Sequence, residues 1–175
     1  MGQEVSAYSP LVWGVKSSLV SYVRDLHDGE IAVQMPATAV SPAQAAFLGG
    51  SEAYAFAPDQ ASSHYDTIKR TGHLQFRGAV VFSGHFNTMR LEVIDPCLDL
   101  RDGAGTLSVC TNGHIGTPRW DAIATAKIIS TPGAVQLGIT IELALTAAGH
   151  LMLGQQYPVG QLLAQATVER VQSFQ

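Results

Sequence analysis

The stretch "PCLDLRDGAGTLSVC", residues 96–110, decides the fold. Two alternating apolar runs flank Asp102-Gly103-Ala104-Gly105, and this pattern predicts two antiparallel strands joined by a tight turn. Symmetric pairing about the turn sets Leu100 opposite Leu107, and it also sets Cys97 opposite Cys110. Directly opposed cysteines can lie close enough for a disulfide, so two alternatives stay open: a disulfide, or two buried free thiols.

The segments on both sides of this hairpin continue the strand pattern. Apolar or alternating runs of strand length occur at "LQFRGAVVFSG" (74–84), "TMRLEVIDP" (88–96), "WDAIATAKII" (120–129) and "VQLGITIELAL" (135–145). The residues "HFN" (85–87) fit a hairpin between the first two runs, and Thr131-Pro132-Gly133 fits a turn between the last two. Strands that follow one another without helices predict a mainly β fold, either an antiparallel β-sandwich or a curved half-barrel.

Helices are expected to be few. The segment "LVWGVKSSLVSYVRDL" (11–26) has apolar residues at steps of three and four, which predicts an N-terminal α-helix packed on the sheet. Ser9-Pro10 would begin this helix and Gly29 would end it. At most one or two further short helices are expected, one of them at "SPAQAAFLG" (41–49).

Two regions are less well defined by their pattern. Residues 32–72 mix Pro, Gly, Ala and Ser with short apolar clusters, and we expect most of them to form a long excursion around the core. The segment "YPVGQLLAQATVERVQ" (157–172) fits a helix at some positions and a strand at others, so residues 161–171 stay open.

Composition limits the classes of function. A chain of 175 residues with 46% hydrophobic content fits a single domain, residues 1–175. The net charge is −4 and no run of Lys or Arg occurs, which excludes an electrostatic nucleic-acid surface. No apolar stretch approaches the roughly 18 residues of a membrane span, and no signal peptide is apparent.

Familiar catalytic motifs are absent from the sequence. The six histidines form no HxH or HExxH cluster, so a conventional zinc site is not expected. There is also no GxSxG elbow and no glycine-rich nucleotide loop. What remains is Ser18 and Tyr22, four residues apart on one helical face, and His85 after Ser83-Gly84. Taken alone, each has a plainer interpretation as a core tyrosine or a turn histidine.

Several segments together resemble a known family. "LVWGVKSSLVSYV", "LQFRGAVVFSGH", "MRLEVIDPCLDL", "GTLSV" and "LTAAGHLMLGQQYPVGQLL" occur in the order found in the HtaA domain family of actinobacterial haem-binding proteins. The resemblance covers most of the chain and is weakest over residues 30–73. Two features depart from the family pattern: Leu19 stands where an aromatic residue is commoner, and the two opposed cysteines are not expected.

The resemblance implies a haem site made by three residues. Tyr22 matches the tyrosine that ligates the haem iron, His85 matches the histidine that hydrogen-bonds this tyrosine, and Ser18 matches the serine that contacts a haem propionate. A phenolate is a hard, anionic oxygen ligand that suits ferric iron, so the expected ligand is ferric haem b. The apolar neighbours Leu19, Val23 and Leu26 are candidates either for porphyrin contact or for the core.

The expected function is therefore capture of ferric haem and its transfer onward, without turnover. Haem-donor or haem-acceptor proteins are the implied partners, and a homodimer stays open. The alternatives are a haem-using or haem-degrading enzyme, and a structural β domain that has lost haem binding. Family members are generally exported, which implies an extracellular or cell-envelope location; if the sequence is full length, the lack of a signal peptide implies the cytoplasm.

Overall fold

The computed structural model describes residues 8–111, 117–130 and 138–171, and in these ranges most of the regular structure is antiparallel strand. The strands are β1 (Leu11–Trp13), β2 (Glu30–Gln34), β3 (Thr38–Ala39), β4 (Tyr54–Pro58), β5 (His64–Asp66), β6 (Thr71–Arg77), β7 (Ala79–Gly84), β8 (Met89–Ile94), β9 (Cys97–Arg101), β10 (Ala104–Thr111), β11 (Arg119–Ser130), β12 (Ile139–Leu145) and β13 (Ala166–Val168). The helices are α1 (Ser17–Asp25), α2 (Pro42–Phe47) and α3 (Ala147–Met152).

The larger sheet closes on itself. Its strand order is β3-β4-β1-β13-β12-β11-β10-β9-β6-β5, and β4 also pairs with β6 through Ala57 opposite Arg77. The eight strands from β4 to β6 therefore form a closed ring, with β3 and β5 outside it. Neither a sandwich nor a half-barrel describes this arrangement, although the expectation of a mainly β fold with few helices is confirmed.

The inside of the ring is filled by large apolar side chains. Strands β9 and β10 send Leu98 and Leu107 inward as a directly opposed pair, and both are fully buried. Trp13 is also fully buried, and its indole nitrogen donates to the carbonyl of Ala164 at 2.9 Å. Because this polar group keeps a partner, the largest side chain of the core is buried without an unsatisfied donor.

A smaller sheet carries the part of the chain that forms one wall of the site. Its strand order is β2-β7-β8, and β7 and β8 form the hairpin predicted around residues 85–87. Helix α1 packs on this smaller sheet, against β2 and β7. Val20 and Val23 of α1 are buried there and Tyr22 is not, so the helix turns Tyr22 away from the core.

Only the second half of the predicted N-terminal helix is helical. Residues Leu11–Trp13 form β1, which pairs with β13 on one side and β4 on the other. The chain then changes direction at Val15, which has a φ of 62°, and α1 starts at Ser17 rather than after Ser9-Pro10. The apolar period of residues 11–15 fits a helix, but burial between two strands outweighs it. None of the helices in the described ranges is long and apolar enough to cross a bilayer.

The central hairpin has a different register from the predicted one. Asp102 and Gly103 form a two-residue turn with φ values of 51° and 81°, the left-handed pair that a tight hairpin requires. Cys97 consequently lies opposite Ser108, while Cys110 lies opposite Trp120 of β11. Neither cysteine is in a disulfide and both are buried, so the structure supports two buried thiols rather than a disulfide.

Other expectations have mixed outcomes. Helix α2 is present, and the Oγ of its capping residue Ser41 accepts the backbone N–H of Gln44. Residues 32–72 do not simply skirt the core, because β4 is a strand of the closed ring and its Tyr54 and Phe56 are fully buried. Residues 166–168 of the ambiguous segment form a strand, β13. The predicted turn at residues 131–133 lies outside the described residues.

Candidate functional site

A cleft of about 780 Å³ lies between α1, the β7–β8 hairpin, and α3 with the segment that follows it. Its size falls within the range of about 300 to 1,000 Å³ that is usual for small-molecule and cofactor sites. The walls are mainly apolar, with a few polar groups. The apolar contributors include Leu19, Met89, Leu91, Met152 and Leu153.

Tyr22 and His85 meet at this cleft. The Tyr22 hydroxyl and Nε2 of His85 are 2.6 Å apart and share a hydrogen bond, although 63 residues separate them in the chain. The side chain of Tyr22 is 47% exposed, so the plain interpretation as a buried core tyrosine is wrong. The phenol oxygen is thus held by an imidazole and remains open to a ligand.

The backbone around His85 is unusually constrained. His85, Phe86 and Asn87 all have positive φ, between 51° and 65°, which is uncommon for residues other than glycine. The Asp28 carboxylate accepts the backbone N–H groups of both His85 and Phe86, and these bonds hold the pKa of Asp28 below its usual value. Asp28 therefore fixes the turn that presents the imidazole to Tyr22, and its bonds go to the backbone rather than to the imidazole ring.

Close backbone packing brings the turn to the helix. A Cβ added at Gly84 would lie 2.5 Å from Cδ1 of Leu26, and one added at Gly29 would lie 1.8 Å from the carbonyl oxygen of Val23. The clash at Gly29 is with backbone, so only glycine fits where the chain leaves α1, whereas at Gly84 the Leu26 side chain would have to move. Among the apolar candidates of α1, Leu19 lines the cleft while Val23 is fully buried in the core.

Ser18 lies in the same cleft but has a different partner. Its Oγ shares a hydrogen bond of 3.0 Å with the hydroxyl of Tyr157, which comes from the segment after α3. Nζ of Lys16 lies 5.6 Å from the centre of the Tyr157 ring. The backbone carbonyl of Tyr157 accepts a hydrogen bond of 2.6 Å from Nδ1 of His150. The hydrogen bond between Ser18 and Tyr157 thus bridges α1 and the opposite wall of the cleft, one helical turn from Tyr22.

Sequence reasoning did not single out several of the cleft residues. Tyr157 and Arg90 belong to the lining, and Arg90 also pairs with Glu92 through Nε at 2.7 Å. Both residues lie too far from Tyr22 in the sequence for a helical or strand period to relate them to it. Both residues do stand within segments that carry the family resemblance, Arg90 in "MRLEVIDPCLDL" and Tyr157 in the last segment, and this is the available signal.

The fold and the cleft together define a small antiparallel β-ring domain with a side cleft that holds a tyrosine–histidine pair. The HtaA family model, described as "Htaa", matches residues 9–169, and the chain belongs to that family. A search of curated protein sequences found no match.

Solved structures of similar fold come from Corynebacterium glutamicum. The C-terminal domain of HtaA has a TM-score of 0.72 and 16% identity, with 93% of this chain and 95% of that chain covered. The N-terminal domain of HtaA has a TM-score of 0.70 and 21% identity, with coverages of 97% and 100%. The haem-binding protein HtaB has a TM-score of 0.65 and 16% identity, with coverages of 92% and 91%. At these identities the likeness establishes the fold.

Proposed function

We propose that this protein binds ferric haem b in the cleft through Tyr22 and passes it to another protein without turnover. The observation that carries the proposal is the 2.6 Å contact between the Tyr22 hydroxyl and His85 Nε2 at the mouth of an apolar cleft. Membership of the HtaA family and the haem-binding HtaB structure give additional support.

The residues present fit such a ligand. An exposed phenol beside apolar walls offers one hard oxygen donor and two faces of hydrocarbon contact. When bound, ferric haem supplies a hard iron centre, for which a phenolate is a suitable anionic ligand. Tyr22 must lose its proton to serve in this way, and a hydrogen bond donated to the phenolate favours the charged form. His85, with its proton on Nε2, donates that bond and holds the ring of Tyr22 in place.

Polar groups of the cleft suit the carboxylates of the same ligand. Ser18 and Tyr157 each carry a hydroxyl that can donate to a carboxylate oxygen, and Arg90 carries a positive charge in the lining. In this role Ser18 contributes to affinity but not to ligation. Its loss should weaken binding without abolishing it.

A single ligand at an open cleft is suited to transfer. Tyr22 is about half-exposed, so an incoming ligand from an acceptor protein has access to the same region. Partners are therefore haem-donor or haem-acceptor proteins. The alternative of haem degradation is tested by adding peroxide or a reductant to the loaded protein, because turnover would remove the haem absorbance whereas transfer requires an acceptor.

The test is a titration with hemin followed by visible spectroscopy. We expect one haem per chain and a tyrosinate-type ferric spectrum for the wild type, and loss of this spectrum for Tyr22→Phe. Removing a residue that supports a metal ligand typically costs 10- to 100-fold in affinity, and we expect about that loss for His85→Ala.

Two matched variants serve as controls. Tyr157→Phe removes a phenol from the same cleft and should leave the ligand spectrum intact. His64→Ala removes an exposed histidine from β5 and should leave haem affinity unchanged. An unaltered affinity and spectrum in Tyr22→Phe would exclude the proposed ligand, and failure of the wild type to take up hemin would favour a domain that has lost haem binding.

A further inference from the structure

A second cluster of ligating side chains lies on β6 and β9, whose residues take no part in lining the haem cleft. Nδ1 of His73 and Oδ1 of Asp99 are 2.7 Å apart, and Oδ2 of Asp99 is 4.0 Å from Sγ of Cys97. The three residues offer ligand atoms that all lie within 4.8 Å of one another. Donors this close need only small side-chain rotations to converge on one ion.

The sheet register accounts for this convergence. His73 lies directly opposite Asp99, and Cys97 lies two residues before Asp99 on the same strand, so all three side chains share one face. That face is the outer one, because the alternating residues Leu74 and Leu98 are fully buried in the core. His73 lies 24 positions before Cys97 and 26 before Asp99 in the sequence, and strand pairing brings them together. A search for local spacing motifs cannot detect such a cluster.

The cluster is buried at one side chain and exposed to solvent at another. Cys97 is buried, while the Asp99 side chain is 57% exposed and His73 is intermediate. A fourth potential donor stands beside them, since His64 of β5 lies opposite His73 and its ring centre is 6.1 Å from that of His73 in a stacked arrangement. The nearest cation along β6, Arg77, is paired with Asp59 at 2.9 Å and Asp95 at 3.5 Å.

We propose that His73, Cys97 and Asp99 form a binding site for a divalent transition-metal ion of the zinc class. Nitrogen, thiolate sulfur and carboxylate oxygen are the three donor types that Zn²⁺ takes in proteins, usually as four ligands in a tetrahedral arrangement. His64, beside His73 on β5, is the candidate for the fourth position. Calcium and magnesium are excluded, because both require oxygen ligands.

Binding at this site must displace the thiol proton to solvent as the sulfur–metal bond forms. It must also break the hydrogen bond between His73 Nδ1 and Asp99, with the imidazole proton held on Nε2 instead, so that Nδ1 can bind the ion. Burial raises the pKa of the Cys97 thiol to about 11, and hydrogen bonds from Ser108 across the hairpin oppose that rise. Because a metal-bound sulfur is a thiolate, one proton is released from sulfur for each ion bound. The Ser108 bonds would remain on the thiolate and stabilise it.

The experiment is a titration of the haem-free protein with Zn²⁺ against a chelator of known affinity, together with Co²⁺ as a spectroscopic probe. We expect one ion per chain and a thiolate-to-cobalt charge-transfer band. Cys97→Ala should abolish that band, His73→Ala and Asp99→Asn should each weaken Zn²⁺ binding by tenfold or more, and His64→Ala should weaken it to a smaller extent. Thermal unfolding of each variant establishes that it is folded.

Cys110→Ala is the matched control, because it removes the other buried thiol and should retain both the band and the affinity. Tyr22→Phe should also leave Zn²⁺ binding unchanged, which separates this site from the haem cleft. Binding of Co²⁺ without the charge-transfer band, or Zn²⁺ binding equally tight in wild type, Cys97→Ala and His73→Ala, would overturn the proposal. So would the absence of stoichiometric binding to the wild type.

Discussion

Replacing Gly149 by alanine should destabilise the protein by forcing α3 away from the closed ring. Gly149 is buried in α3, and its backbone N–H donates to Oγ1 of the capping residue Thr146 at 3.1 Å. A Cβ at this position would lie 2.1 Å from the carbonyl oxygen of Ile123 in β11, whereas ordinary contacts begin at 3.4 Å. The obstacle is backbone, so the helix itself has to move by about 1 Å.

The size of the effect follows from this clash. Overpacking of this kind typically costs about 1 to 3 kcal/mol. For a chain of this length each kcal/mol lowers the melting temperature by roughly 2 to 4 °C, so we expect a fall of about 2 to 12 °C. Because α3 carries Met152 and the following Leu153 into the cleft, hemin affinity should fall as well.

The assay is thermal unfolding followed by circular dichroism, with Gly50→Ala as the matched control. A Cβ at Gly50 would meet its nearest atom, the Glu52 carbonyl oxygen, at 3.5 Å, an ordinary contact. The control should melt within about 1 °C of the wild type. A Gly149→Ala protein as stable as the wild type, or a control destabilised to the same degree, would show that the contact between α3 and β11 does not limit stability.

Three further predictions follow from individual side chains. The pKa of Asp28 is lowered, so its hydrogen bonds to the His85–Phe86 turn should persist from neutral pH to below the ordinary carboxyl value of 3.8 and be lost as the pH falls through the lowered pKa. The amide resonance of Phe86 in an NMR titration should report this transition, and the Asp28→Asn variant should lack it. Tyr54→Phe should be at least as stable as the wild type in a denaturant titration, because the buried Tyr54 hydroxyl has no hydrogen-bond partner in the described part of the chain; a loss above about 1 kcal/mol would contradict this. Because Cys97 and Cys110 form no disulfide, a thiol assay should find two reactive thiols per unfolded chain and slow reaction in the native state, and fewer than two would indicate a disulfide.

Local sequence patterns predicted the hairpins better than their registers. The β7–β8 hairpin and α2 follow from alternation and from the Pro- and Ala-rich composition of residues 41–49, which are local signals. The pairing of Cys97 depended on which residues occupy the turn, and a two-residue turn at Asp102-Gly103 changes every partner in the ladder. Residues Leu11–Trp13 satisfied a helical period, and only the strands on both sides decide against it.

The candidate site shows a similar division. The sequence suggested Tyr22, His85 and Ser18, and the structure brings the first two into contact and places the third in the same cleft. Their roles toward haem stay predictions. Tyr157 and Arg90 were not foreseen, because their positions depend on how α3 and β8 are set against α1. The cross-strand set of His73, Cys97 and Asp99 depends on register in the same way, which no linear motif encodes.

The two walls of the cleft belong to different hydrogen-bonded units. Helix α1 and the His85 turn are attached to the three-stranded sheet, whereas α3 is anchored on β11 of the closed ring. A change in the distance between the walls therefore breaks no backbone ladder. It has to break side-chain bonds that join α1 to the ring side, among them Ser18 to Tyr157, Lys16 Nζ to the Leu162 carbonyl, and Arg24 to Glu52. Entry and exit of a flat, rigid molecule would thus depend on side-chain contacts at the cleft rather than on the backbone pairing of either sheet.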